Sequence, residues 1–257
     1  MKIAASDFDG TLFVDNAIAE SDLASIVEWR AAGNKFGIVT GRNYSMLTPP
    51  LTRFKPELDY LICSNGAAIC RADGTPVWQT GISLPLIEEL IRNAKVARSR
   101  HYVFSAIDSV YYCHEREGSW INFEQTKWDM KFTEIAEEDI NKLPQVQQFS
   151  LDYATSEEAQ DVSAELNRLY GGRICAYPNQ GSIDINPVGI SKRQGIEKLC
   201  EVMDWQAEKI LTIGDEFNDL PMIEAFDGYT VTSAKDEIKA KAKRIVPRVG
   251  AMLAENM

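Results

Sequence analysis

The chain has few of the features that would place it in a specialised class of protein. Its longest apolar runs are only a few residues, whereas a membrane-spanning helix needs about 20. It has two histidines and five cysteines, and no two cysteines show the C-x-x-C spacing of a zinc or redox motif. We therefore expect no membrane span, no disulfide framework and no zinc site.

Positive charge is also scarce. The 257 residues include 27 Lys and Arg against 38 Asp and Glu, which gives a formal net charge of −11 at pH 7. A nucleic-acid-binding protein needs a basic face, so we expect no nucleic-acid partner. The first residues contain no long apolar segment of the kind that directs secretion. With the scattered cysteines, this predicts a cytoplasmic protein.

What the chain does have is an alternation of apolar strand-like segments with amphipathic helical ones at both of its ends. The strand-like segments are 2–6, 35–40, 60–64, 209–215, 228–231 and 244–247. Helical patterns begin near Ser21 and cover 191–203 and 218–226. Apolar strands that alternate with helices are typical of a parallel sheet covered on both faces. The sequence therefore predicts an α/β protein.

The middle of the chain, from 81 to 185, has a different pattern. It contains two long helical stretches, 85–98 and 156–170, together with strands of alternating polarity. Thr155 followed by Glu158 is typical of a capping box at the start of the second helix. We expect an α+β unit that is inserted between two halves of the parallel sheet.

Four polar motifs follow predicted strands or begin the next helix. They are Asp7-Phe8-Asp9-Gly10-Thr11, Thr40-Gly41-Arg42, Lys192, and GDEFND with Asp215, Asn218 and Asp219. Open α/β sheets bind ligands at the carboxyl ends of their strands. Each motif alone is also compatible with a turn, a helix cap or a solvated lysine. Their occurrence in this order favours one shared site.

Asp7 and Asp9 are the most informative pair. In an extended segment, residues i and i+2 project to the same side, so the two carboxylates would lie side by side. Such carboxylates repel one another unless a cation or a proton lies between them. Taken alone, the string is compatible with either a turn or a cation site.

With these motifs the chain resembles the haloacid dehalogenase superfamily, and within it the Cof-type phosphatases of subfamily IIB, which carry a C2B cap. The resemblance covers the whole chain. It implies a Rossmann-like, doubly wound parallel sheet core in 1–80 and 186–257, and a mobile α+β cap domain in 81–185. It also implies a Mg²⁺-dependent phosphatase that acts on a small phosphorylated metabolite, for which we expect a sugar phosphate.

The resemblance assigns roles to the acidic residues. Asp7 would be the nucleophile that becomes phosphorylated, and Asp9 would protonate the leaving oxygen and then activate water. Mg²⁺ would be held by Asp7, the backbone carbonyl of Asp9 and Asp215. Asp219 would support the metal from behind these ligands.

The resemblance also implies a set of groups that bind the phosphoryl oxygens. They are the backbone N–H groups of Phe8 and Gly41 and the side chains of Thr40, Lys192 and Asn218. Arg42 and Asn65 are further candidates for substrate contact, and for Asn65 a plain turn position before Gly66 is the alternative.

Two other functions remain as alternatives to the phosphatase. A phosphohexomutase shares this core but needs a second phosphate site, and the arginines of 81–185 show no cluster within a strand. A non-catalytic sugar-phosphate sensor would be expected to lack Asp7 or Asp9, and both are present. The sequence leaves monomer and dimer equally open.

Overall fold

The structure, a computed structural model, describes residues 1–121, 125 and 130–257. The chain divides into two compact units, which are described separately. The first unit comprises Met1–Thr40, Leu51–Trp78 and Ser191–Met257, and the second comprises Gly41–Pro50 and Gln79–Ile190. Of the segment assigned to the cap, residues 122–124 and 126–129 lie outside the described residues, and the assignment itself stays a prediction.

The strands in the described ranges are β1 (Lys2–Ser6), β2 (Lys35–Val39), β3 (Tyr60–Cys63), β4 (Ala68–Arg71), β5 (Pro76–Gln79), β6 (Tyr102–Ser105), β7 (Val110–Cys113), β8 (Phe132–Glu134), β9 (Gln148–Asp152), β10 (Ile174–Asn179), β11 (Ser182–Pro187), β12 (Lys209–Gly214), β13 (Asp227–Val231) and β14 (Arg244–Val246). The α-helices there are α1 (Glu20–Ala31), α2 (Tyr44–Phe54), α3 (Leu84–Ile91), α4 (Ser156–Tyr170), α5 (Lys192–Met203), α6 (Leu220–Ala225), α7 (Asp236–Lys239) and α8 (Val249–Ala254).

The first unit is built on an eight-stranded sheet with the order β14-β13-β12-β1-β2-β3-β4-β5. The strands from β14 to β3 pair in parallel, and β4 pairs with β3 antiparallel. Residues Ile3, Ala4 and Ala5 of the central β1 are fully buried, as expected for a strand covered on both faces. The predicted α/β fold with a parallel sheet core is confirmed.

The order of the strands places a topological switch point between β1 and β12. From β1 the chain continues outward to β2 and β3, whereas β12 is followed by β13 and β14 on the opposite side. The connections diverge at this point, which leaves a crevice at the carboxyl ends of the two central strands. The first and last of the four motifs follow these two strands.

The second unit is an α+β structure with a six-stranded sheet in the order β10-β11-β9-β6-β7-β8. Its pairings are antiparallel except that of β7 with β8. One buried cluster joins the sheet to α3 and α4 and includes Phe104, Phe149, Ile87 and Val162. This core belongs to the second unit alone.

The prediction of one helix over 85–98 is wrong. The structure has α3 over Leu84–Ile91, followed by a turn and a short 3-10 helix over Val96–Arg98. Asn93 explains the interruption, because its side-chain oxygen accepts the backbone N–H of Lys95 at 2.9 Å. Asparagine side chains compete with the helical backbone in this way.

The helix α2 was not predicted from the sequence, because it contains Pro49 and Pro50. Asn43 caps its start by accepting the N–H of Met46 at 3.0 Å. Pro50 has no N–H to donate to the carbonyl of Met46, four residues earlier. Nη1 of Arg42 donates to that carbonyl at 3.2 Å instead. A side chain thus replaces a helical hydrogen bond that proline removes.

No α-helix in the described part of the chain is both long enough and apolar enough to cross a membrane.

The start of α4 offers a test of helix capping in the second unit. Oγ1 of Thr155 accepts the N–H of Glu158 at 3.1 Å. Replacement of Thr155 by Ala should lower the free energy of unfolding by about 1 kcal/mol, because this N–H loses its partner. Thr155→Ser keeps the hydroxyl and should be nearly neutral. Calorimetric unfolding of the variants measures the difference, and equal stability of Thr155→Ala and the wild type would refute the role of the cap.

Candidate active site

The site begins with Asp7, which directly follows β1. Its N–H donates to the carbonyl of Ile213 in the neighbouring β12 at 2.8 Å, so the backbone here is held by the central strand pair. The Asp7 side chain is buried, with 6% of the residue exposed. A carboxylate is almost never buried without partners, so its surroundings must supply them.

Lys192 is the main partner of Asp7. It is the first residue of α5, whose N-cap is Ser191, and only 1% of it is exposed. Its Nζ lies 2.6 Å from Oδ1 of Asp7 and 2.6 Å from Oδ1 of Asp219. The lysine is therefore fixed between two carboxylates that come from two different strand ends.

Asp219 shapes the turn that follows β12. Its Oδ2 accepts the N–H groups of Asp215 and Glu216, each at 3.0 Å. With Lys192 on Oδ1, both of its oxygens are engaged, and the residue is fully buried. Asp219 thus fixes the backbone of Asp215 through its side-chain oxygen.

The loop after Asp7 contacts Asp215 directly. Oγ1 of Thr11 donates to Oδ1 of Asp215 at 2.8 Å. Gly10 has a φ of +82°, and a Cβ at this position would lie 2.4 Å from Oδ2 of Asp215. Glycine therefore permits both the left-handed turn and the close approach. Thr11 belongs to the first motif, and its contact with Asp215 was not predicted from the sequence.

The carboxyl groups of Asp7, Asp215 and Asp219 each bring one oxygen within 4.8 Å of the others. Burial raises the pKa of Asp7 well above its ordinary value; Lys192 counteracts this, while Asp219 and Asp215 add to it. Burial, followed by the charge of Asp219, raises the pKa of Asp215 to about 6. Burial alone would lower the pKa of Lys192, but Asp219 and Asp7 outweigh it and raise the pKa.

Lys192 contacts two of these three carboxylates and brings one positive charge, so the cluster holds an excess of negative charge in a largely buried place. A divalent cation would offset this charge. All the donor atoms of the cluster are oxygens, which suits Mg²⁺ and does not suit a metal that prefers sulfur or nitrogen. The residues present therefore fit a Mg²⁺ ion held by Asp7 and Asp215.

The expectation that the side chains of Asp7 and Asp9 project to the same side stays a prediction. β1 ends at Ser6, and the carbonyl of Phe8 accepts the N–H groups of Leu12 at 3.0 Å and Phe13 at 2.7 Å, so the chain turns over residues 9–12. Asp7 is buried and Asp9 is exposed. The proposed proton-transfer role of Asp9 and the ligand role of its carbonyl stay predictions.

Among the predicted phosphate-binding residues, Thr40 and Asn218 are linked through Asn65. The N–H of Asn65 donates to the carbonyl of Thr40 at 2.9 Å. Nδ2 of Asn218 donates to Oδ1 of Asn65 at 3.1 Å. All three residues are buried in the first unit.

Gly41 and Arg42 belong to the second unit. The carbonyl of Gly41 accepts Nε2 of Gln148 at 3.1 Å, and Arg42 supports α2 as described above. Their predicted contacts with phosphate and substrate stay predictions.

Comparison with known proteins identifies the family of the chain independently of the site geometry. A family model described as haloacid dehalogenase-like hydrolase matches residues 4–249. Pyridoxal phosphate phosphatase YbhA of Escherichia coli (strain K12) is 26% identical over 265 residues, which cover 95% of this chain and 93% of the relative. HMP-PP phosphatase of Yersinia pestis (strain Pestoides F) is 23% identical over 256 residues, with coverages of 95% and 88%.

Solved structures agree with the fold. A haloacid dehalogenase-like hydrolase from B. subtilis matches with a TM-score of 0.86 at 16% identity, and each chain is covered completely, at 100%. The subclass IIB sugar phosphatase BT4131 matches with a TM-score of 0.81 at 19% identity, with coverages of 99% and 98%. At these identities the matches speak for the fold alone.

Because the cluster carries excess negative charge, removal of one carboxylate should raise the thermal stability without a metal ion and weaken the stabilisation by Mg²⁺. Asp215→Asn keeps an oxygen that can accept from Thr11 but removes one negative charge. In chelator, the melting temperature should rise by about 2–4 °C, the shift that about 1 kcal/mol produces in a chain of this size. Added Mg²⁺ should stabilise the wild type and should stabilise the variant much less.

Thermal unfolding with and without Mg²⁺ measures both effects. The same substitution at Asp204, at the exposed far end of α5, serves as the control and should leave the response to Mg²⁺ unchanged. Equal stabilisation of the wild type and Asp215→Asn by Mg²⁺ would exclude Asp215 as a ligand.

Proposed function

Because the chain belongs to the haloacid dehalogenase-like hydrolase family, we propose that it is a Mg²⁺-dependent phosphatase that hydrolyses a small phosphorylated metabolite through a phosphorylated Asp7. The predicted family is confirmed by the match over residues 4–249, and the predicted enzyme class, a phosphoric monoester hydrolase, is supported by that match together with the named phosphatase relatives. The metal, the residue roles and the substrate are the proposal. One observation carries it: the buried Asp7 carboxylate lies beside Lys192 in a cluster with two further carboxylates.

The cluster suits a carboxylate nucleophile. In the first step, an oxygen of Asp7 attacks phosphorus and the bond from phosphorus to the ester oxygen breaks. Asp9 gives its proton to the leaving oxygen, so the alcohol departs neutral. The product of this step is an acyl phosphate on Asp7, which divides one difficult displacement into two easier ones.

The second step reverses the role of Asp9. Its carboxylate takes a proton from water, and the resulting oxygen attacks the phosphorus of the acyl phosphate. The bond between phosphorus and Asp7 breaks, inorganic phosphate leaves, and both aspartates return to their initial states. The exposed position of Asp9 leaves its carboxyl accessible to a water molecule and to a leaving alcohol.

Lys192 has two tasks in this mechanism. Its contacts with Asp7 and Asp219 hold the nucleophile in one orientation. Its charge also offsets the repulsion between an anionic nucleophile and an anionic substrate. The side chains of Thr40 and Asn218 would donate hydrogen bonds to the phosphoryl oxygens, together with the N–H of Phe8.

Asp7, Asp215 and the carbonyl of Asp9 would hold the metal ion, with Asp219 behind them. When bound, Mg²⁺ supplies positive charge where the phosphoryl oxygens carry negative charge, which lowers the barrier to displacement.

The substrate is proposed as a class. The relatives named above include phosphatases of pyridoxal phosphate, of HMP-PP and of a sugar phosphate. For this chain we propose a small phosphorylated metabolite, with sugar phosphates as the first group to screen and pyridoxal phosphate beside them. A requirement for a hexose bisphosphate would instead reveal a mutase.

Asp7→Asn tests the nucleophile. The amide has nearly the same shape but cannot form the acyl phosphate, so turnover of p-nitrophenyl phosphate should fall by at least about 10³-fold. Asp204→Asn makes the same chemical change away from the site and should keep wild-type turnover. Turnover of Asp7→Asn close to that of the wild type would rule out this nucleophile.

Removal of divalent cations tests the metal. Excess chelator should abolish turnover, Mg²⁺ should restore it, and Ca²⁺ should restore it poorly. Mg²⁺ demands near-octahedral geometry, whereas the larger Ca²⁺ accepts more ligands and would misalign the attack. Steady-state rates with each ion measure this, and undiminished activity in chelator contradicts the proposed metal.

A further inference from the structure

We propose that the turn Ser64–Gly66 positions the phosphate-binding residues, and that Asn65 acts through Asn218 as a positioning residue and does not bind substrate itself. The inference rests on the proposed function, because it assumes that Asn218 binds a phosphoryl group. It replaces the role predicted for Asn65 from the sequence, which was direct contact with the substrate.

The first observation is an unusual backbone. Ser64, Asn65 and Gly66 have φ values of +49°, +54° and +109°, so three consecutive residues are left-handed. Glycine adopts this region easily and asparagine tolerates it, whereas serine is rarely found there. A turn of this kind persists only where the surrounding structure holds it, and such turns cluster at functional sites.

The second observation is what the turn contacts. The N–H of Asn65 donates to the carbonyl of Thr40, the residue that follows β2, at 2.9 Å. Oδ1 of Asn65 accepts Nδ2 of Asn218, which follows β12, at 3.1 Å. One residue thus links two of the predicted phosphate-binding residues, which are separated from it by 25 and 153 positions in the sequence.

Gly66 lets the same turn pack against the start of α5, next to Lys192. A Cβ on Gly66 would lie 2.3 Å from the carbonyl oxygen of Ser191, the N-cap residue directly before Lys192. A Cβ on Gly195, in the first turn of α5, would in turn lie 2.8 Å from Cα of Gly66. The two glycines allow the turn to pack directly against the start of the helix that carries the lysine.

The chemistry of the Asn65–Asn218 pair explains why an amide is useful here. The Asn218 amide has two N–H donors, and Asn65 engages one of them through its side-chain oxygen. This fixes the plane of the Asn218 amide and directs its second N–H, which is then available to a phosphoryl oxygen. An acceptor at position 65 is needed for this, whereas a donor would turn the amide around.

The test measures the cost of Asn218→Ala in three backgrounds: the wild type, Asn65→Gly and Asn65→Asp. Asn65→Gly tolerates the left-handed backbone and keeps the N–H to Thr40, but it removes the acceptor. Asn65→Asp keeps the acceptor oxygen. For p-nitrophenyl phosphate, we expect Asn218→Ala to lower kcat/KM by at least about tenfold in the wild type, the lower end of the range for one hydrogen bond to a charged group.

In the Asn65→Asp background, about the same fold-change should remain. In the Asn65→Gly background, Asn218→Ala should change kcat/KM less than about twofold, because Asn218 is no longer oriented. A full tenfold cost in the Asn65→Gly background would overturn the proposal, since Asn65 and Asn218 would then act independently. If Asn218→Ala no longer lowered kcat/KM in either the Asn65→Gly or the Asn65→Asp background, the proposal would also be overturned. The acceptor oxygen at position 65 would then not be what orients Asn218.

Asp204→Gly is the matched control, since Asp204 also has a left-handed φ of +51° but lies at the exposed far end of α5. It should leave kcat/KM unchanged. A wild-type protein without turnover of any phosphate ester would refute the proposed function instead. In that case the effect of Asn218→Ala in the three backgrounds is measured on the dissociation constant for inorganic phosphate by calorimetry. The outcomes that would overturn the role of Asn65 are then the same as for kcat/KM.

Discussion

The site depends on one buried interaction, the contact of Lys192 with Asp7 and Asp219. Nζ lies 2.6 Å from an oxygen of each, and it joins the start of α5 to the ends of the two central strands. Burial of three ionised groups carries a desolvation cost that their attraction offsets only with good geometry. Because the desolvation cost nearly cancels the attraction, the contact contributes more to the geometry of the site than to the stability of the fold.

The same cluster shows a conflict between stability and function. One lysine cannot neutralise three carboxylates. Burial, together with repulsion between the carboxylates, raises the pKa values of Asp7 and Asp215. A core selected for stability alone would replace one of them with an apolar residue. The excess charge would become useful on binding of the proposed cation, because the repulsion between the carboxylates would then favour the ion.

The fold and most of the site were predictable from the sequence, because local patterns carry them. Parallel strands are continuous apolar runs, and the polar motifs stand directly after them. What could not be predicted depends on particular contacts. Asn93 interrupts a helical pattern with its own side chain, and Arg42 supports a helix that contains two prolines. Asp7 is buried whereas Asp9, two residues later, is exposed, and the bond between Asn65 and Asn218 joins residues 153 positions apart.

The proposed phosphoryl-binding residues of the first unit contact the part of the substrate that all phosphate esters share. Asp7, Lys192 and Asn218 are proposed to recognise the phosphoryl group, which every phosphate ester presents in the same form. They cannot distinguish one alcohol from another, because discrimination needs contacts that differ between the competing substrates. Two relatives that are 26% and 23% identical accordingly have different named substrates. In the proposed mechanism, the choice of substrate therefore has to come from residues that contact the alcohol.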